Sequence, residues 1–289
     1  MAFFAAIWFG VIEGITEWLP VSSTGHLILL SDVFPLVVGE AVGEDFPAAF
    51  RALFDVLIQV AAILAVLLRF FSRLNPFSRG KSAEERRHTG RLYASMLMAG
   101  IPVAAVGLLI DPLLEHLTGK DIDAWLYRSD VVAVSLILYG VIFLFVDGKR
   151  RAVLSAPLTA RRALTVGCFQ ALAVIPGTSR SGATILGGML VGMDRASAAE
   201  YSFFLALPTM FGAGAIRTLD FVGFLLSNGY RMPIEGYAVL FVGMAVAFLV
   251  SLATIDALMN FVKRSTLRGF GIYRILLGVL VLFWPIFHR

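Results

Sequence analysis

The apolar residues of this chain are gathered into blocks of roughly 16 to 23 residues, about what an α-helix needs to cross the hydrocarbon core of a bilayer. The alternating ten-residue pattern of a transmembrane barrel is absent. With 58% of 289 residues hydrophobic and 15% charged, the composition lies far from that of soluble domains. The sequence therefore predicts an all-α polytopic membrane protein with full spans at 46–68, 92–110, 131–146, 196–216, 237–258 and 271–287. The first segment lacks a basic leader and carries Glu13 and Glu17 where a signal peptide would be apolar, so no cleavable signal is expected. The single cysteine, Cys168, gives neither a disulfide framework nor a thiolate metal cluster and is expected as a small buried hydrophobe.

Charge follows topology. Arg69, Arg73, Arg79, Lys81, Arg86, Arg87 and Arg91 share one loop, Lys149, Arg150, Arg151, Arg161 and Arg162 a second, and Lys263, Arg264 and Arg268 a third. The positive-inside rule places all three in the cytoplasm. Acidic loops alternate with them: Asp32, Glu40, Glu44 and Asp45, then Asp111, Glu115, Asp121, Asp123 and Asp130, then Asp220 and Glu235. No basic soluble domain exists, which excludes a nucleic-acid partner. Ser82, three residues before Glu85, has capping-box spacing, so a short surface helix within 74–91 competes with the weightier reading of a solvated connector.

Two further apolar stretches, 3–30 and 163–193, are interrupted in the middle by Pro followed by Gly, Ser or Thr. Each half amounts to roughly 18 to 25 Å of helix, so each stretch is expected to dip in and return on the same side as a re-entrant hairpin. WLPVSSTGH (18–26) aligns without gaps on VIPGTSRSG (174–182), pairing Pro20 with Pro176, Ser22 with Thr178 and Ser23 with Ser179. Each hairpin precedes three spans, so the second copy must be inverted. The expectation is one membrane domain of two inverted repeats, about 1–147 and about 160–289, with the broken helices meeting near the midplane.

The breaks carry the polar chemistry. Glu13 and Glu17, four residues apart, project from one helical face. Two carboxylates in a low-dielectric interior repel unless a cation lies between them, and oxygen ligands favour a divalent metal such as magnesium or calcium. Ser22, Ser23 and Thr24 open the following helix, with His26 one turn after Ser23. A helix N-terminus is an anion site, and histidine can serve as acid or base at neutral pH. The second break, PGTSRSGAT, adds Gly177 for a tight turn, the hydroxyls of Thr178, Ser179, Ser181 and Thr184, and Arg180, a planar fork matched to phosphate oxygens. An arginine inside a membrane is expensive, and a phosphate would pair it; the alternative, a pairing with Glu13 or Glu17, leaves the hydroxyls unexplained. Gly188 and Gly192 read as a packing face. His88, His116 and His288 call for no special role.

EGITEWLPVSSTGH and PGTSRSGAT closely resemble the two signature motifs of the bacterial undecaprenyl pyrophosphate phosphatases, the BacA-type enzymes linked to bacitracin resistance. The resemblance extends to length and hydropathy along the whole chain, with Trp18 where phenylalanine is frequent. It implies a hydrolase of the bacterial plasma membrane that takes a polyprenyl pyrophosphate to the monophosphate carrier used for cell-wall polymers. It implies Glu13 and Glu17 as metal-associated acids, Ser23 and His26 in catalysis, Arg180 as phosphate clamp, and a site open to the extracytoplasmic side. Two routes fit the residues: attack by Ser23 with His26 as base, or a water activated by His26. A second lipid phosphatase class shares PSGH-like and SR-containing motifs, but Leu186 stands where its histidine would be. The rival of another kind is a lipid flippase or anion transporter on the same inverted repeat. The sequence is compatible with a homodimer and fixes no oligomeric state.

Overall fold

The long apolar blocks form helices because their backbone polar groups have no other partner in an apolar surrounding. The computed structural model describes residues 1–78, 80–120, 122–126, 128–146 and 159–287. Arg79, Asp121, Lys149, Arg150, Arg151 and His288 lie outside the described residues. Among those described there is no strand. The helices are α1 (Ala2–Thr16), α2 (Ser23–Val33), α3 (Phe46–Arg69), α4 (Phe71–Leu74), α5 (Ala83–Ala105), α6 (Asp111–Thr118), α7 (Ile122–Leu126), α8 (Ser129–Val146), α9 (Ala160–Ala171), α10 (Arg180–Leu190), α11 (Arg195–Asn228), α12 (Ile234–Arg264) and α13 (Arg268–Phe287).

Five helical segments are long and apolar enough to cross a membrane: Phe46–Arg69, Ala83–Thr118, Ser129–Val146, Arg195–Asn228 and Ile234–Arg264. The sixth expected span, 271–287, lies in α13, which is helical for 20 residues and carries a fully buried arginine, Arg274. The stretches 3–30 and 163–193 are each two helices around a break. Ser82 and Glu85 do form a reciprocal capping box: the Ser82 hydroxyl accepts from the Glu85 N–H at 3.2 Å, and the Glu85 carboxylate accepts from the Ser82 N–H at 2.7 Å. The helix it starts is not a separate surface element. It runs on through the expected span, past Pro102, and widens into a π turn at Val106–Ile110. Cys168 is exposed on α9, not buried.

Packing is set by small residues. A Cβ on Gly10 would lie 2.6 Å from the Gly243 carbonyl oxygen, and one on Gly167 would lie 2.3 Å from that of Ala99. Backbone therefore meets backbone where α1 runs along α12 and where α9 runs along α5. α3 packs on α12 as α11 packs on α5, while α8 pairs with α13 and α3 with α11. Each of these pairs joins a helix from before residue 147 to one from after residue 158. One apolar core surrounds Phe9, Phe46, Phe50, Phe54 and Phe221. A second surrounds Trp18, Ile63, Val66, Phe203, Phe204 and Leu258, and smaller clusters lie about Leu136 and Tyr139. The stretch 3–30 reaches the first two, with Phe9 in one and Trp18 in the other.

Candidate active site

Each break ends on a serine that turns the chain into the next helix. Ser22 (φ 72°, ψ 103°) and Ser179 (φ 69°, ψ 117°) are the two non-glycine residues with positive φ among those described. This left-handed backbone is costly for an L-residue and persists only where its surroundings dictate it. Each serine N-caps an eleven-residue helix. Ser179 is thus the counterpart of Ser22, and SSTG (22–25) matches SRSG (179–182), one position off the gapless alignment that paired the prolines. The backbone reversal fixes the register, and a proline one residue earlier or later is accommodated within the turn. In this register the buried positions Ala6, Phe9, Gly10 and Glu13 fall on Ala163, Val166, Gly167 and Gln170, all buried.

Glu17 joins the two breaks. One carboxylate oxygen accepts from Arg180 Nη2 at 2.9 Å and the other from the Ser23 hydroxyl at 3.0 Å. Ser23 and Arg180 are equivalent positions, the first residues of α2 and α10. The Arg180–Glu17 pair is nearly enclosed, with side chains 12% and 7% exposed, so Arg180 has a protein partner where a phosphate was expected to supply one. Its Nη1 donates to the Ser202 carbonyl at 2.7 Å, its Nε has no partner, and its guanidinium lies 5.9 Å from the Trp18 ring centroid. Glu13 is fully buried beside Glu17, and neither of its oxygens has a hydrogen-bond partner.

The hydroxyls divide. The Ser179 oxygen accepts from the Gly182 N–H at 3.1 Å, and the Ser181 hydroxyl donates to the Leu19 carbonyl at 3.1 Å, tying one break to the other. Thr184 bonds the Arg180 carbonyl at 2.8 Å and the Ser202 hydroxyl at 2.6 Å, bracing the turn that carries Arg180. Thr24 is half-buried and bonds none of these residues. His26 does not meet the Ser23 hydroxyl: its Nδ1 lies 2.7 Å from the Ser22 carbonyl and its Nε2 2.6 Å from the Tyr273 hydroxyl, with the two rings stacked 9° from parallel. A carbonyl can only accept, so Nδ1 carries the hydrogen and Nε2 accepts from Tyr273.

Sequence reasoning missed Tyr273 and its neighbour Arg274. The Arg274 side chain, buried to 0% exposure, donates to the carbonyls of Pro20 at 3.1 Å, Gly177 at 2.7 Å and Thr178 at 2.9 Å. Pro20 and Gly177 are equivalent in the register above, so one guanidinium holds the same point of both breaks. The signal was present: an arginine within an expected span is costly and needs buried partners. Gly177, at φ 89°, lets this break lie directly against α8, since a Cβ there would lie 2.5 Å from the Val132 carbonyl oxygen. Gly177→Ala is expected to lower the thermal unfolding midpoint and cost about 1–3 kcal/mol from backbone strain before the clash is counted; a midpoint equal to wild type would refute it.

The acceptors and donors fit an oxygen-ligated cation and an anion side by side. Among the described residues no group of three or more His, Cys, Asp or Glu gathers to hold a metal. The oxygen set is two carboxylates, of which Glu13 is without a partner, and that suits a hard divalent ion whose remaining ligands come from phosphate. Long apolar helices enclosing a charged, hydroxyl-lined centre are the make-up of a multi-pass membrane protein with an internal polar site. The bacitracin resistance protein BacA family model matches residues 6–280, and the chain belongs to that family. It is 42% identical to an undecaprenyl-diphosphatase of Enterococcus faecalis, covering 97% of this chain and 98% of the relative. It is 43% identical to one of Streptococcus mutans, covering 96% and 94%, and 41% identical to undecaprenyl-diphosphatase 1 of Clostridioides difficile, also covering 96% and 94%.

Proposed function

We propose that this chain is a membrane-embedded phosphatase that hydrolyses undecaprenyl pyrophosphate to undecaprenyl phosphate and inorganic phosphate, recycling the lipid carrier of cell-wall synthesis and thereby resisting bacitracin. The observation that carries the reading is Glu17, which ties a hydroxyl of one break to the arginine of the other. The relatives' names supply the substrate. We read the chain as six crossings and two re-entrant hairpins in inverted repeats, about 1–147 and about 160–289; the support is the exchange of helix pairs between halves and the matched turns at Ser22 and Ser179. A bacterial plasma-membrane location with the site open to the extracytoplasmic side belongs to the same reading. One copy supplies every site residue, so nothing in it depends on a homodimer.

In this mechanism the terminal phosphate sits at the N-termini of α2 and α10, where free N–H groups and the helix dipoles favour negative charge. Arg180, held by Glu17 and the Ser202 carbonyl, points its unused Nε at the phosphate oxygens. Glu13 and Glu17 together exceed the single positive charge of Arg180 and would repel a pyrophosphate. They would hold a divalent cation, magnesium or calcium, which when bound supplies charge neutralisation at the phosphate oxygens. Ser23 is the nucleophile. Its Oγ bonds to the terminal phosphorus while its proton passes to Glu17, the carboxylate it already touches, in place of the expected His26. The bridging P–O bond breaks, and its electron pair leaves with the lipid monophosphate. Water then attacks the phosphorus, passing a proton to His26 Nε2 as the Tyr273 hydroxyl turns away; the Ser23 Oγ–P bond breaks, Oγ regains the proton held by Glu17, and inorganic phosphate leaves.

The test is phosphate release from a polyprenyl pyrophosphate in detergent. Release is expected to stop on chelation and to return with magnesium or calcium, and a quenched reaction is expected to contain phosphorylated Ser23. Near-normal turnover by Ser23→Ala would remove Ser23 as nucleophile. Lipid movement in proteoliposomes by a variant unable to hydrolyse would instead favour a transporter on the same repeat.

A further inference from the structure

Gln170 is 3% exposed on α9, and neither its amide oxygen nor its amide nitrogen has a hydrogen-bond partner. Burying an unpaired amide is unfavourable, so such a group calls for a partner that the fold itself does not supply. In the register set by Ser22 and Ser179, Gln170 is the counterpart of Glu13, which is likewise buried with both side-chain oxygens unpaired. Around both, the helix faces match: Phe9 and Gly10 precede Glu13 as Val166 and Gly167 precede Gln170, and Gly10 and Gly167 each press onto a neighbouring helix. The two stretches therefore each carry one buried, unbonded polar side chain at the matched position, an acid in the first and an amide in the second.

The ligand has the same symmetry. A pyrophosphate is two phosphoryl groups about a bridging oxygen, and the two helix breaks are two copies of one anion-binding turn. We propose that Gln170 is a further ligand-binding residue, its amide N–H donating to a pyrophosphate oxygen on the side of the second hairpin. This rests on the diphosphatase reading above. The chemistry of the pair is complementary: Glu13 can only accept, and so suits a cation, whereas the amide donates and can meet an anion. The unpartnered Nε of Arg180, on the same hairpin, is the second donor of this half-site.

Binding of inorganic pyrophosphate and of inorganic phosphate to the detergent-solubilised full chain, measured by calorimetry with magnesium present, tests this without turnover. Gln170→Leu keeps the volume and removes the unpaired amide, so its unfolding midpoint is expected to equal or exceed that of wild type. Its pyrophosphate affinity is expected to fall about tenfold or more, with a rise of similar size in KM for the lipid substrate. Pyrophosphate affinity and KM within twofold of wild type would overturn the assignment. Should Gln170→Leu not fold, Gln170→Met, flexible and apolar, decides the question by the same two measurements. Failure of the broader reading looks different: wild type would bind pyrophosphate, and the variants would weaken it, without any lipid pyrophosphate hydrolysis.

Discussion

Arg180→Ala is expected to lower kcat/KM for lipid pyrophosphate hydrolysis by about a thousandfold or more, as for other arginines that clamp a transferring phosphoryl group. Two effects combine. The unpartnered Nε that the proposed mechanism gives to the phosphate is lost, and Glu17 is left as a nearly enclosed carboxylate without its cation, since that side chain is 7% exposed. Breaking such a pair from one side costs about 3–5 kcal/mol, so the unfolding midpoint should fall as well. The two effects separate in Arg180→Ala/Glu17→Gln, which removes both charges. That variant should regain much of the stability and none of the turnover. Arg180→Lys keeps the charge but cannot reach Glu17 and the Ser202 carbonyl together, as the planar fork does at 2.9 and 2.7 Å; intermediate stability with turnover near that of Arg180→Ala is expected. Arg180→Ala retaining activity within tenfold would remove the clamp from the mechanism.

The polar residues of both breaks were legible because hydroxyls, carboxylates and an arginine in an apolar run have few structural uses. The helices were legible because block length answers to bilayer thickness. What escaped was whatever depends on two distant segments meeting. The partner of Arg180 is a case: pairing with Glu17 is 163 residues away in sequence, and only the fold says which of two acids it takes. Prolines are conspicuous in a sequence, whereas the positive φ of Ser22 and Ser179, which pairs the two breaks one residue off the prolines, leaves no compositional mark. Arg274 was absorbed into an expected span because one arginine barely lowers the mean hydropathy of a long apolar window. The capping box was outweighed by the reading of a solvated connector, because nothing local says that a helix started there continues for more than twenty residues into the membrane-length segment beyond it. Cys168 fell on the outward face of α9, a matter of helical phase that a short segment interrupted by a break does not establish.

Arg274→Met should be the most destabilising single change at the site, although Arg274 makes no hydrogen bond to Glu17, Ser23 or His26. Three buried carbonyls, those of Pro20, Gly177 and Thr178, would lose their donor at once. An unsatisfied buried acceptor costs about 1–3 kcal/mol, so a loss of several kcal/mol is expected even if one carbonyl finds water. The two breaks would also lose their common anchor. Pro20 lies two residues before Ser22 and Gly177 two before Ser179, so the reversals that aim Ser23 and Arg180 at Glu17 hang from the carbonyls that Arg274 holds. Arg274→Lys supplies a point charge with three donors on a flexible stem and no planar fork, and should recover part of the stability. The two arginines then differ in kind. Arg180 variants should lose turnover out of proportion to stability, while turnover in Arg274 variants should follow the folded fraction and the spacing of the breaks. Thermal unfolding and initial rates on the same preparations would show it. A stable, folded Arg274→Met with wild-type rate would mean that the breaks hold their positions unaided, and that the costly backbone at Ser22 and Ser179 is maintained by the flanking helices alone.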